Sequence, residues 1–311
     1  MAREPAGTAA GGDIRRYLLP DVLARLRGLD LVARLVVEGF VTGLHRSPYH
    51  GFSVEFAEYR EYTPGDEIKH IDWKVFGRTD RYYVKVYEEE TNLQAFLVLD
   101  KSASMRLQSP EAPASKLQYA TWIAASLAYL MLAQRDSVGL VTFDTEVRDF
   151  VPPSQHPSHL KVMLGHLDQM EPGHESDLGA VMHALAEQVR RKGLFIVISD
   201  LLDDPEKILF GLRHLRYRRH EVILFQVLDP AERTFPLRDM TKLVALEGEA
   251  EEIVDPIAIR KSYLEELERF LDAIRNGCRN TRTDYVLLDT SMPLGIALAR
   301  YLATRSEVKL R

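Results

Sequence analysis

Apolar residues follow three successive rhythms along this chain. Over residues 14–45, Leu18, Leu19, Val22, Leu23 and Leu26 recur at three- and four-residue steps, which predicts a helix. Between residues 45 and 91, Phe52, Val54 and Phe56 alternate with polar residues, as do Val84 and Val86. "TPGD" at 63–66 supplies a turn, so this stretch reads as a small region of strands and loops. After residue 92 the rhythm becomes strand, helix, strand.

Apolar strands are predicted at 95–99, 138–143, 194–198, 222–228 and 285–288. Helices are predicted near 116–134, 158–169, 177–191, 205–217, 260–276 and 293–304. Strands that are apolar without alternation are buried on both faces, as in a mainly parallel sheet covered by helices. "EVRDFV" (146–151) is more polar and reads as an antiparallel edge strand, and 242–254 reads as a hairpin about Gly248. The expected fold is therefore α/β: a doubly wound, mainly parallel sheet flanked by helices over residues 93–311. A helix and a β-rich region precede it over 14–92, after a flexible tail at 1–13.

The strand ends carry the chemistry. "FLVLDKSASM" (96–105) runs from a buried strand into Asp100, Ser102 and Ser104, oxygen-bearing side chains at every second residue. "IVISD" ends in Asp200, and the loop "GHESDL" (173–178) offers Ser176 and Asp177 before a helix. In an open α/β sheet, ligands gather at the carboxyl ends of strands. Hydroxyls with few carboxylates suit a hard divalent cation such as Mg²⁺ or Mn²⁺. Ser102 and Ser104 can ligate directly, while Asp100 and Asp200 supply charge directly or through water. Few anionic ligands leave such a cation electrophilic and open to a carboxylate from elsewhere, which is a docking device. The competing reading is helix capping by Asp and Ser, although the next helix starts nearer Ser115.

Composition narrows the setting. The 311 residues carry a net charge of −6, so no bulk attraction to nucleic acid or anionic membrane is expected. The single cysteine, Cys278, excludes an internal disulfide and fits a reducing compartment. "MAREPAGTAAGGDIRR" lacks the apolar core of a signal peptide. "YATWIAASLAYLMLA" (119–133) falls short of the ~20 residues that span a bilayer. A cytoplasmic protein is expected.

Residues 51–91, with their Y-x-P-G-D, I-D-W and R-T elements followed by "LVLDKSASM", closely resemble the domain of unknown function 58 family. D-x-S-x-S with a later hydroxyl loop and a strand-end Asp also resembles the metal-ion-dependent adhesion site of von Willebrand factor A domains. The resemblance covers residues 14–300 and implies an A-domain-like fold with Asp100, Ser102, Ser104, Ser176 and Asp200 as metal site. Ser176 stands where Thr is usual. The family also implies a bacterial protein working with a MoxR-type AAA+ ATPase.

Three functions remain open: a non-catalytic metal-dependent adaptor, a metal-dependent hydrolase, and a structural protein whose site stays empty. No G-x-S-x-G elbow, P-loop or D-x-D motif supports the hydrolase. "LLDTSMPLG" (287–295) mimics the site, but Asp289 and Ser291 read as caps before Pro293. The basic run "RHLRYRRHE" (213–221) reads as a solvated helix end. Arg60, Asp66, Asp72, Lys74, Arg78 and Arg81, with Tyr62 and Trp73, read as an ion-pair network that locks the N-terminal region.

Overall fold

The computed structural model describes residues 29–44, 59–61, 76–78, 81–85, 94–173, 175–244 and 251–301. The chain divides into two compact units, Ser47–Asn92 and the combination of Met1–Arg46 with Leu93–Arg311. The smaller unit ends at the expected residue 92, but the helical stretch before residue 46 groups with the sheet instead of with the β-rich region. Helix α1 (Leu29–Leu44) belongs with the sheet unit, where it packs against α2 (Lys116–Ala133). Val32, Ala33 and Val36 supply the buried face that makes it part of that core.

In the smaller unit, β1 (Tyr59–Glu61) pairs antiparallel with β2 (Tyr83–Lys85), and Phe76 stacks on Tyr82 at 4.4 Å. The alternating run 52–56, the "TPGD" turn and most of the expected ion-pair network lie outside the described residues.

The larger unit is built on β3 (Gln94–Asp100), β4 (Ser137–Phe143), β5 (Val147–Ser154), β6 (Gly193–Ser199), β7 (Glu221–Leu228) and β8 (Asp284–Asp289). Spatial order is β8-β7-β6-β3-β4-β5, parallel throughout except for the antiparallel edge β5. Pro152 and Pro153 sit in β5, as an edge strand tolerates. Gly139 in β4 is required by close approach, since a Cβ there would lie 2.7 Å from the Val151 carbonyl oxygen.

Alternation inside the strands serves two cores. Ala95, Leu97 and Leu99 of β3 face one helix layer, formed by α1, α2 and α3 (His159–Asp168). Phe96 and Val98 face the other, where α4 (Leu178–Gln188) and α5 (Pro205–Tyr217) pack. After β7 comes the short α6 (Pro230–Thr234), and α7 (Pro256–Asn280) precedes β8 and closes the second layer through Ile274 and Cys278. Both faces are covered, so the uninterrupted apolar strands have nowhere polar to point. Residues 241–244 and 251–254 pair as the expected hairpin.

Among the described residues, no helix is long and apolar enough to cross a membrane.

Candidate functional site

From β3 the chain winds to β4 on one side, and β6, β7 and β8 extend the sheet on the other. The carboxyl end of β3 is thus a topological switch point, where a crevice forms. Five strands end there in aspartate or are followed directly by it: Asp100, Asp144, Asp200, Asp229 and Asp289. All five are buried.

Their partners differ. Asp144 receives Arg148, Asp200 receives Lys116 and Asp289 receives Arg233, each at 2.7 Å. Asp229 caps α6, accepting from the Ala231 and Ser109 backbone N–H groups at 2.8 Å. Asp289 also accepts from the Ser291 N–H at 3.0 Å, so it bonds within the turn and to a cation. Among the described residues, Asp100 has neither a cation nor a helix cap.

Asp100 is held by neutral donors instead. Its Oδ1 accepts from the Ser102 N–H at 2.8 Å. Its Oδ2 accepts from Ser199 Oγ at 2.6 Å and Ser176 Oγ at 3.3 Å. A single 3₁₀ turn (Ala103–Arg106) anchored by buried Met105 brings Ser104 Oγ to 3.1 Å from Ser102 Oγ. The Ser176 loop is tied to the same region, because Gly173 N–H donates to the Lys101 carbonyl at 2.5 Å and Asp177 N–H to that of Asp144 at 3.2 Å. At Gly173 a Cβ would collide with Asp144 Oδ2, so glycine permits this approach.

Burial, followed by the negative charge of Asp200, pushes the Asp100 carboxyl up to about 7. Hydrogen bonds from Ser199 and Ser102 offset only part of that rise.

The structure thus brings Asp100, Ser102, Ser104 and Ser176 into one hydrogen-bonded cluster, with Asp200 near enough to act on Asp100 through its charge. Asp200 has its own company. Lys116 Nζ donates to its Oδ2, and Leu202 N–H to its Oδ1 at 3.3 Å. The same ammonium donates to Glu232 Oε1 at 2.7 Å, and Glu232 Oε2 accepts from Asp229 N–H at 2.7 Å in a capping box. Burial works against the Lys116 charge, but Asp200 and Glu232 outweigh it and raise its pKa. Glu232 is raised by burial despite Lys116.

Asp177 caps α4 through Ala180 N–H at 2.9 Å, and Asp204 caps α5 through Glu206 N–H at 2.8 Å. Ser115 caps α2 by accepting from the Gln118 N–H at 3.2 Å.

Three participants were not singled out from sequence: Ser199, Lys116 and Glu232. A signal for two of them was present. Lysine at the first position of a helix opposes the macrodipole, so it needs a local anion. "DPAE" at 229–232 carries the Asp and Glu spacing of a capping box.

The donor set is one carboxylate with several hydroxyls. Among the described residues, no group of three or more His, Cys, Asp or Glu side chains stands where it could hold a metal ion. A soft or nitrogen-loving metal therefore finds no cage among them, whereas an oxygen-preferring cation finds chemically suitable ligands. Asp100, Ser102 and Asp200 have no exposed surface, and Ser104 has 4%.

The family described as "Protein of unknown function DUF58" matches residues 58–269. The chain belongs to that family. It is 28% identical over 293 residues to the uncharacterized protein Rv1480 of Mycobacterium tuberculosis, covering 92% of this chain and 90% of that one. It is 27% identical over 130 residues to YeaD of Bacillus subtilis, covering 42% and 30%.

Similar solved structures include BatB from Bacteroides thetaiotaomicron, at TM-score 0.47 and 14% identity over 69% of this chain and 99% of that one. The SpRpn10 VWA domain gives TM-score 0.38 and 12% identity over 66% and 93%. The doubly wound α/β fold of this DUF58 chain rests on its own topology: β3 central, five parallel strands and a single antiparallel edge.

Proposed function

We propose that this protein is a non-catalytic, metal-dependent protein-binding module of the cytoplasm. Asp100, Ser102, Ser104 and Ser176 hold Mg²⁺ or Mn²⁺, and Asp200 contributes charge from behind. Asp100 carries this reading. It is a fully buried strand-end carboxylate facing hydroxyls, with a pKa displaced to about 7, and its ionised form lacks a counter-ion among the described residues. A divalent cation is the counter-ion that such a donor set accepts.

When bound, the cation supplies an electrophilic face for a carboxylate of another protein. Access requires the Ser176 loop to part from Asp100, and that 3.3 Å bond is the longest of Asp100's three contacts. The family resemblance supports a MoxR-type AAA+ ATPase as the partner.

The test is titration with Mn²⁺ and Mg²⁺, paired with capture of the ATPase with and without EDTA. Wild type binds the ion and captures the ATPase only without EDTA. Asp100→Ala loses both while its circular dichroism stays native. Equal metal binding by wild type and Asp100→Ala refutes the proposed site.

A further inference from the structure

The ion-pair triad beside the candidate site is unexplained by that function. Lys116 has 0% side-chain exposure and sits 2.7 Å from both Asp200 Oδ2 and Glu232 Oε1. A buried ammonium between two carboxylates is costly to desolvate, and apolar replacements of such groups are often as stable. Nor does helix formation account for it, because lysine opposes the dipole at the first position of α2. Its place is set by the carboxylates that meet there from the ends of β6 and α6.

Resting on the metal reading above, we infer that Lys116 is a built-in counter-cation. It retains Asp200, keeps that charge from being spent fully on the metal, and so sets divalent affinity at the Asp100 site. The arithmetic is direct. One ammonium against two carboxylates leaves the triad at −1, to which ionised Asp100 adds another −1. Without Lys116 the same groups reach −3, a strong trap for a divalent ion. A metal bound so tightly, with its charge satisfied from within, has less pull on a partner's carboxylate. Lys116 thereby preserves the electrophilic character that docking needs. Glu232 acts in the opposite sense, because it draws the ammonium partly away from Asp200.

These roles predict changes of opposite sign. K116M should bind Mn²⁺ more tightly than wild type by about tenfold or more, because the effect of a unit charge several ångströms from a divalent ion at an effective dielectric of about 20 exceeds that factor. E232Q, which leaves Lys116 to Asp200 alone, should bind Mn²⁺ several-fold more weakly. K116R, which keeps the charge, should stay near wild type.

The experiment is calorimetric titration of full-length wild type, K116M, K116R and E232Q with Mn²⁺, alongside thermal melts with and without the ion. Opposite shifts for K116M and E232Q support the inference, as does binding that appears in K116M but not in wild type. Equal Mn²⁺ affinity in all four proteins, or a loss in K116M as well as E232Q, overturns it while leaving the metal site standing. Absence of Mn²⁺ binding from every protein overturns both. If K116M fails to fold, E232Q decides alone: weaker binding sustains the inference, and unchanged binding sinks it.

Discussion

Asp100 and Asp200 come from the ends of neighbouring parallel strands, and both are entirely buried. Desolvation alone would treat them alike. Yet Asp200 has an ammonium at 2.7 Å, while Asp100 is met by serine hydroxyls and one backbone N–H. The hydroxyls can bond to a carboxylate but cannot cancel its charge. One strand end is thus a finished structural joint, and the other is chemically incomplete. Burial sets the cost of a charge, and the partner decides whether the protein must bear that cost. At the remaining strand ends, Arg148, Arg233 and the α6 cap finish the joints at Asp144, Asp289 and Asp229.

The largest effect should come from breaking the finished joint. Lys116→Ala leaves the fully buried Asp200 and the partly exposed Glu232 without their cation, and removing one member of a buried ion network typically costs about 3–5 kcal/mol. Urea unfolding in metal-free buffer should show that loss as a lower midpoint with little change in slope. A loss below about 1 kcal/mol would mean that the two strand ends are not as different as their partners indicate.

A second effect should appear at the incomplete end, as a dependence on pH. The folded-state pKa of Asp100 is raised from the ordinary 3.8 to about 7. Between those values the folded chain keeps a proton that the unfolded chain has lost. Stability therefore falls as pH rises through this window, and the loss is complete above about 7, amounting to a few kcal/mol. Asp100→Asn should flatten that part of the profile, and Mn²⁺ should flatten it in wild type by giving the ionised carboxylate a counter-ion. An identical pH slope in wild type and Asp100→Asn would remove Asp100 from the account.

Much of this comparison could be read from the sequence, but only on one side. Apolar strands buried on both faces announce a covered parallel sheet, and the break after each strand shows which aspartates reach its carboxyl edge. "DKSAS" places its hydroxyls locally, within five residues of one another, so their convergence needed no knowledge of the fold. Lys116 pairs with residues 84 and 116 positions away. Nothing in an 18-residue apolar helix says where its first side chain will point. Ser199 was hidden for a related reason. As the last residue of a strand it reads as ordinary backbone filler, and its hydroxyl meets Asp100 only because β6 lies beside β3.

The smallest effect separates the two hydroxyls on Asp100 Oδ2. Ser199 Oγ is buried, bonds at 2.6 Å and itself accepts from Leu201 N–H at 2.9 Å, so the fold fixes it on both sides. Ser176 is half-buried, belongs to the loop and bonds at 3.3 Å. Ser176→Ala should therefore cost less than about 1 kcal/mol, whereas Ser199→Ala leaves the buried carboxylate short of its tightest donor and should cost about 1–3 kcal/mol. The order reverses for metal binding. In the proposed site Ser176 is the ligand supplied by the loop, so its removal should weaken Mn²⁺ several-fold, and Ser176→Thr, with its hydroxyl retained and its rotation restricted, should restore the affinity. If Ser176→Ala is instead the more destabilising change and leaves Mn²⁺ affinity untouched, the loop is a structural brace and Asp100 must find its cation without it.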